Sequence, residues 1–264
     1  MRRISIIGAG WLGFPLGKVL VAKSKEVKGS STRVEKLAAM QSAGIQGIHL
    51  SFEPEAKGNL LAALQADVLV LTIPPRKNEE FYSAVLQSIL QEMQHSPVQK
   101  VIYTSATSVY PDCEAEVSED DAQVIVSRHS GVRLLTLEKL LRQKLGDDLT
   151  ILRLGGLYGP GRQPCRFLAG KTEVPGGDNP VNMVHLQDCI RAIECVLEQN
   201  AWGRTYNVVN PDHLSRKEFY ARACALSGAQ APSWGSGQRP WKKVSSALIM
   251  KELGFSFLPH FPEA

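Results

Sequence analysis

Short apolar runs alternate with stretches in which apolar side chains return every three or four positions, a pattern that holds to about residue 210. The runs Ile4–Ile7, Glu26–Ser30, Ile45–Leu50, Asp67–Ile73, Lys100–Thr104, Thr150–Leu154 and Thr205–Val209 read as strands. Between them, Phe81, Val85, Leu86, Ile89, Leu90 and Met93, and later Leu134, Leu137, Leu140 and Leu141, recur at helical spacing. Strands such as Val68-Leu69-Val70-Leu71 lack polar alternation, as burial on both faces demands. The pattern predicts an α/β chain: a doubly wound parallel sheet of Rossmann type with helices on both faces.

After Leu154 the pattern changes. Residues 155–180 are rich in Gly, Pro and Arg, and from Pro211 onward helical stretches are broken by Pro and Gly. Residues 1–154 and 181–209 are expected to form the dinucleotide-binding domain, with 155–180 and 210–264 forming a small substrate lobe. Ligands of open α/β sheets bind beyond the carboxyl ends of the strands, so the lobe is expected to close over that edge.

The first strand runs into Gly8-Ala9-Gly10-Trp11-Leu12-Gly13, and a helix follows. The first glycine of such a turn permits the reversal, the second admits a pyrophosphate to the backbone, and the third lets helix and strand pack closely. The helix N-terminus then faces the anion. The next strand closes on Ser31-Thr32-Arg33, where an NAD site would carry a carboxylate for the ribose. Hydroxyls and a guanidinium bind a 2′-phosphate instead, which favours NADP(H) while leaving NAD(H) open. The alternative is a solvated loop whose arginine faces water.

Composition narrows the class without naming it. The 264 residues are 44% hydrophobic and 21% charged, ordinary for a globular protein, and the net charge is +4. Basic residues are scattered except for Arg239-Pro240-Trp241-Lys242-Lys243, read as a solvated patch, and no nucleic-acid partner is expected. Five cysteines without paired spacing suggest reduced thiols and no metal. Met1-Arg2-Arg3 before an apolar stretch resembles a secretory signal, but three glycines, Pro15 and Lys18 interrupt it. A cytoplasmic, unprocessed protein with no membrane partner is expected, as monomer or homodimer.

Five stretches, in this order, resemble the extended, epimerase/dehydratase-like short-chain dehydrogenase/reductases across nearly the whole chain. They are the glycine turn, Tyr103-Thr104-Ser105-Ala106-Thr107-Ser108-Val109-Tyr110, Arg153-Leu154-Gly155-Gly156-Leu157-Tyr158-Gly159-Pro160, Val181-Asn182-Met183-Val184-His185-Leu186-Gln187-Asp188, and Tyr206-Asn207-Val208. A rival, the 6-phosphogluconate-dehydrogenase-like group, shares the glycine turn and a strand ending like Ile73-Pro74 but leaves the later stretches unexplained. The resemblance implies a cofactor site made of Gly8, Gly10, Trp11, Leu12, Gly13, Ser31, Thr32, Arg33, Ile73, Pro74, Thr104, Ser105, Leu154, Gly155, Gly156 and Leu157.

The usual Tyr-x-x-x-Lys of that family is missing. Anchored on Glu138, the alignment places Ser130 at the tyrosine and Leu134 at the lysine, while Ala106 stands at the hydroxyl position flanked by Ser105, Thr107 and Ser108. Leucine neither tunes a phenol nor bonds a ribose. Thr107, Tyr110 and His185 are the candidates for replacement chemistry, and Tyr110, Tyr158, Arg162, Arg166, Lys171 and His185 for contact with a small, anionic substrate. Each has a structural alternative: a buried ring with one partner for the tyrosines, a helix-start histidine bonding carbonyls, a soluble loop for the basic residues. The expected function is an atypical oxidoreductase or epimerase acting on a carbonyl or alcohol carbon of a small molecule or nucleotide-sugar. A non-catalytic NADP(H) sensor resembling NmrA-like proteins is the alternative, and a degenerate scaffold a third.

Overall fold

The computed structural model describes residues 2–74, 79–122 and 131–261. In chain order the elements are β1 (Arg3–Ile7), α1 (Gly13–Ala22), β2 (Glu26–Ser31), α2 (Glu35–Ser42), β3 (Gln46–Phe52), β4 (Ala56–Gly58), α3 (Leu60–Ala63), β5 (Val68–Leu71), α4 (Glu79–Met93), β6 (Lys100–Ala106) and β7 (Glu116–Val117). There follow α5 (Gly131–Leu145), β8 (Leu149–Leu154), β9 (Gly156–Tyr158), β10 (Met183–His185), α6 (Leu186–Gln199), β11 (Thr205–Val208), α7 (Arg216–Leu226), β12 (Lys243–Val244) and α8 (Ala247–Leu253). Eight strands form one sheet in the order β11-β8-β6-β5-β1-β2-β3-β4. Strands β1, β2, β3, β5 and β6 pair in parallel, as a doubly wound sheet requires.

The outer strand β4 departs from the all-parallel expectation. Its three residues run antiparallel to β3, with Leu50 opposite Gly58 and Phe52 opposite Ala56. A turn closed by the Glu53 N–H on the Glu55 carbonyl, 2.9 Å, sends the chain back. So short a strand has no periodicity to read, and the same holds for β7, β9, β10 and β12.

The chain divides into two compact units, Met1–Ser105 with Thr136–Leu152 and Val196–Arg204, and Ala106–Leu135 with Arg153–Cys195 and Thr205–Ala264. In the first, Ile4, Ile6, Val68, Leu69, Val70, Val101 and Ile102 are buried in the strands, and Leu16 and Leu20 of α1 are buried as well. Helix α4 buries Tyr82, Val85, Leu86 and Ile89, so its inner face starts one residue later than Phe81. In the second, Tyr158, Val181 and Phe219 form one buried cluster, packed by Met183, Leu214, Tyr220 and Phe261.

Candidate functional site

The glycine turn is shaped by contacts that differ at each of its three glycines. Gly8 has φ of +103°, a left-handed conformation, and a Cβ there would lie 3.0 Å from the Thr72 carbonyl carbon. At Gly13 a Cβ would meet the Gly8 carbonyl oxygen at 2.6 Å, Ile6 Cγ2 at 2.9 Å and Thr72 Oγ1 at 3.0 Å. At Gly10 it would meet nothing nearer than the Gly8 oxygen, at 3.8 Å. Two glycines are pressed against their own protein, and the middle one borders open space.

Hydrogen bonds hold this turn from both sides. Gly8 N–H donates to Ser30 Oγ at 3.0 Å, Ala9 N–H to the Ser30 carbonyl at 2.8 Å, and Thr72 Oγ1–H to the Gly8 carbonyl at 2.7 Å. Helix α1 begins without a side-chain cap and with no acidic residue in its first turn. Its positive end is left for an anion. Trp11 is half-buried, and Leu12 is buried.

At the end of β2 the Arg33 N–H donates to Ser31 Oγ at 3.1 Å, which turns the loop back on itself. Thr32 and Arg33 are exposed, and the Arg33 guanidinium lies 3.8 Å from Glu35 in a surface pair that contributes little to stability. Ile73 is half-buried and Pro74 exposed. At the end of β6 two neighbouring hydroxyls differ: Thr104 Oγ1 donates to the Leu71 carbonyl at 3.0 Å, whereas the Ser105 hydroxyl is buried without a partner. Buried polar groups are ordinarily paired, so Ser105 is the uncommitted donor of this strand end.

The remaining candidates lie in the second unit. Thr107 is 7% exposed and opens a short 3-10 turn. Tyr110, 1% exposed, donates its phenol to Asn207 Oδ1 at 2.7 Å and accepts from Arg153 Nη1 at 2.7 Å. Arg153 also donates to the Glu119 carbonyl at 2.9 Å, and Glu119 Oε1 accepts the Asn207 N–H at 2.7 Å. Burial pushes the Tyr110 phenol up to about 12. It is spent inside the protein as a neutral donor.

Tyr158 is equally committed. Its hydroxyl meets His260 Nδ1 at 3.0 Å and the Phe261 N–H at 3.3 Å, and burial pushes it up to about 12. His185 is 9% exposed at the start of α6, its ring edge-on to Tyr158 with centroids 5.2 Å apart. Contrary to the expectation of a bond to a carbonyl, its Nδ1 stands 3.3 Å from the Gln187 N–H, which donates to it. That bond makes Nδ1 the acceptor and leaves the proton on Nε2, and burial lowers the pKa, which favours the uncharged ring.

Leu154 and Gly155 are buried, Gly156 and Leu157 half-buried. Gly155 is needed for close approach, because a Cβ would stand 2.8 Å from the Asn182 carbonyl oxygen. Arg162, Arg166 and Lys171 are exposed. The basic patch is not simply solvated: Lys242, 14% exposed, bonds Asp112 and the Tyr110 carbonyl at 2.8 Å each, and Lys243 pairs with Glu116 at 3.1 Å. Leu134 of α5 is 8% exposed, its side chain in the core. Ser130 lies outside the described residues. Among the described residues no group of three or more His, Cys, Asp or Glu gathers to hold a metal, and no helix is long and apolar enough to cross a membrane.

Reasoning on sequence missed Ser30, Thr72 and Tyr82 in the first unit and the Arg153–Glu119–Asn207 cluster in the second. For Thr72 a signal existed: a polar residue ending an otherwise apolar strand.

The parallel sheet, the glycine turn and the ordered later stretches define a Rossmann-fold protein of the epimerase and short-chain dehydrogenase type, without the Tyr-x-x-x-Lys pair. The family model for NADP oxidoreductase, coenzyme F420-dependent, matches residues 3–95. Protein YeeZ of Escherichia coli (strain K12) is 38% identical over 267 residues, covering 97% of this chain and 96% of its own, and the chain belongs to the YeeZ family. Among solved structures, the UDP-glucuronic acid 4-epimerase from Bacillus cereus in complex with UDP-glucuronic acid and NAD is similar with a TM-score of 0.77 and 21% identity, over 97% of this chain and 94% of that one. A putative NAD-dependent epimerase/dehydratase from Methylobacillus flagellatus is similar with a TM-score of 0.74 and 25% identity, over 97% and 93%.

Proposed function

We propose that the protein binds a nicotinamide dinucleotide at the glycine turn, NADP(H) in preference to NAD(H), and acts as an atypical oxidoreductase or epimerase on a carbonyl or alcohol carbon of a small molecule or nucleotide-sugar. One observation carries the binding reading: Gly8 and Gly13 are closed in by their own protein while Gly10 borders open space beside an uncapped helix start. Backbone N–H groups there suit a pyrophosphate. Ser31, Thr32 and Arg33 would hold the 2′-phosphate, and the unpartnered Ser105 hydroxyl would meet the nicotinamide end.

The cofactor, when bound, supplies the hydride chemistry. The chain's own part is to hold it and to manage a proton. The phenols of Tyr110 and Tyr158 are bonded internally, which leaves Thr107 and the neutral His185 as the candidates for proton handling. Arg162, Arg166 and Lys171 would suit an anionic substrate. The Bacillus cereus epimerase, whose complex holds UDP-glucuronic acid and NAD, makes nucleotide-sugars the first class to try.

A second reading, an NADP(H)-sensing regulatory protein without turnover, is favoured by Leu134, which the alignment anchored on Glu138 sets at the family's lysine position and whose side chain is buried. The test titrates NADPH, NADP, NADH and NAD into wild type and Arg33→Ala while melting temperature and Trp11 fluorescence are followed, then assays nucleotide-sugars and carbonyl compounds. Arg33→Ala is expected to weaken NADPH far more than NADH. Equal losses remove the NADP preference, and binding without turnover across the panel selects the sensor.

A further inference from the structure

We propose that Tyr82, on the buried face of α4, is a positioning residue for dinucleotide binding: through the Ile73 carbonyl it fixes the Thr72–Pro74 segment that backs the glycine turn. The inference rests on the dinucleotide reading above and concerns a residue that no family motif marks.

The geometry is a short relay from core to turn, all within the first unit. Tyr82 is 3% exposed, and its phenol donates to the Ile73 carbonyl at 2.5 Å. One residue earlier, Thr72 Oγ1 donates to the Gly8 carbonyl at 2.7 Å, and the Thr72 N–H donates to the Ile7 carbonyl at 3.0 Å. The Ile73 nitrogen lies 3.1 Å from where a Gly8 Cβ would stand, so this backbone is already in contact with the turn. A shift of the Ile73 peptide therefore carries to Gly8, whose left-handed backbone leaves little freedom to absorb it.

Helix α4 otherwise buries aliphatic side chains, Val85, Leu86 and Ile89, which fill space without direction. A phenol at 2.5 Å from one carbonyl adds direction at the point where β5 ends and Ile73 and Pro74 begin. Tyr103, buried nearby on β6, is the internal comparison. Its hydroxyl reaches no backbone carbonyl and instead faces the Tyr82 phenol, so it tests that neighbour and not the Ile73 carbonyl.

The experiment is calorimetric titration of NADPH and NADH into wild type, Tyr82→Phe, Thr72→Val, the double variant and Tyr103→Phe, with the melting temperature of each ligand-free protein. Losing one positioned hydrogen bond is expected to raise both dissociation constants about fivefold in Tyr82→Phe, by the same factor for the two dinucleotides. Thr72→Val is expected to do likewise, and the double variant to lose less than the product of the two, because both act on one segment. Tyr103→Phe, which removes the hydroxyl facing Tyr82 but keeps the bond from Tyr82 to the Ile73 carbonyl, is expected to bind within about twofold of wild type. Wild-type affinity in Tyr82→Phe, whether or not its melting temperature falls, overturns the inference, as does a double variant whose losses multiply. Should Tyr82→Phe not fold, Thr72→Val carries the test, and wild-type affinity there overturns the relay. Wild type that binds neither dinucleotide removes the underlying reading; wild type that binds, with Tyr82→Phe unchanged, removes this inference alone.

Discussion

Adding one methyl group at Gly13 and one at Gly10 should have opposite consequences. At Gly13 the new Cβ would sit 2.6 Å from the Gly8 carbonyl oxygen and 2.9 Å from Ile6 Cγ2, well inside contact distance, with backbone on one side. Overpacking of this kind costs roughly 1–3 kcal/mol, and the helical advantage of Ala over Gly returns at most about 1 kcal/mol at this first position of α1. Because the nearest atom is backbone and cannot give way cheaply, Gly13→Ala should be destabilised by about 1–2 kcal/mol, about 2–8 °C in melting temperature for a protein of this size. Gly10→Ala meets nothing closer than 3.8 Å and should melt within about 2 °C of wild type or slightly above it. Its affinity for NADPH should nevertheless fall at least about tenfold, since the methyl occupies the space the pyrophosphate needs. Differential scanning fluorimetry without and with NADPH reads both effects, because ligand at 100 times its dissociation constant should raise stability by about 2.7 kcal/mol. Full ligand stabilisation in Gly10→Ala, or an unchanged melting temperature in Gly13→Ala, would refute the argument.

Other consequences are open to simple tests. Tyr103→Phe removes a buried hydroxyl that faces the Tyr82 phenol and reaches no backbone group, so denaturant titration should find it within about 1 kcal/mol of wild type; a larger loss would mean the two phenols are firmly bonded. Tyr110→Phe strips an acceptor from Arg153 and a donor from Asn207, and should cost about 2 kcal/mol of unfolding free energy while the ligand-binding turn is untouched. His260 has its pKa lowered by burial from 6.5 to about 4, so the unfolded chain binds the extra proton between those values. Stability should then fall as pH drops through that window, by about 3 kcal/mol when complete, and urea melts of His260→Asn should show a shallower fall. Burial lowers His185 and His213 too, with the same sign, so a residual slope is expected in the variant.

The architecture was legible because long apolar strands and their intervening helices leave period and composition in the sequence. Val68-Leu69-Val70-Leu71 reads as a central strand and is one, every residue buried. Strand β4 was not legible, since three residues, Ala56–Gly58, pair by virtue of a turn rather than a pattern. For the candidate site, the glycine spacing marks where a turn lies but not which glycine is packed and which is open; that depends on Thr72 and Ile6, far apart in the chain. Likewise the phenols of Tyr110 and Tyr158 look available in sequence. Only the folded chain brings Asn207 and Arg153 to one and His260 to the other.

The same distinction bears on how a chain of this fold can lack a Tyr-x-x-x-Lys pair and keep its glycine turn. The turn is specified largely by backbone: a left-handed Gly8, its carbonyl held by Thr72, its N–H and that of Ala9 held by Ser30, and an uncapped helix start. Such features are fixed by core packing, so they survive whatever happens at solvent-facing side chains. A Tyr–Lys relay, in contrast, depends on two individual side chains whose pKa values are tuned by each other. A leucine at the lysine position, where the alignment anchored on Glu138 sets Leu134, cannot supply that coupling, and the Leu134 side chain is buried. An enzyme with leucine at that position must draw its proton from groups elsewhere. Thr107 and His185 are the residues whose removal decides this: a turnover number that survives Thr107→Val and His185→Gln together would leave the enzyme reading without a proton donor among the candidates.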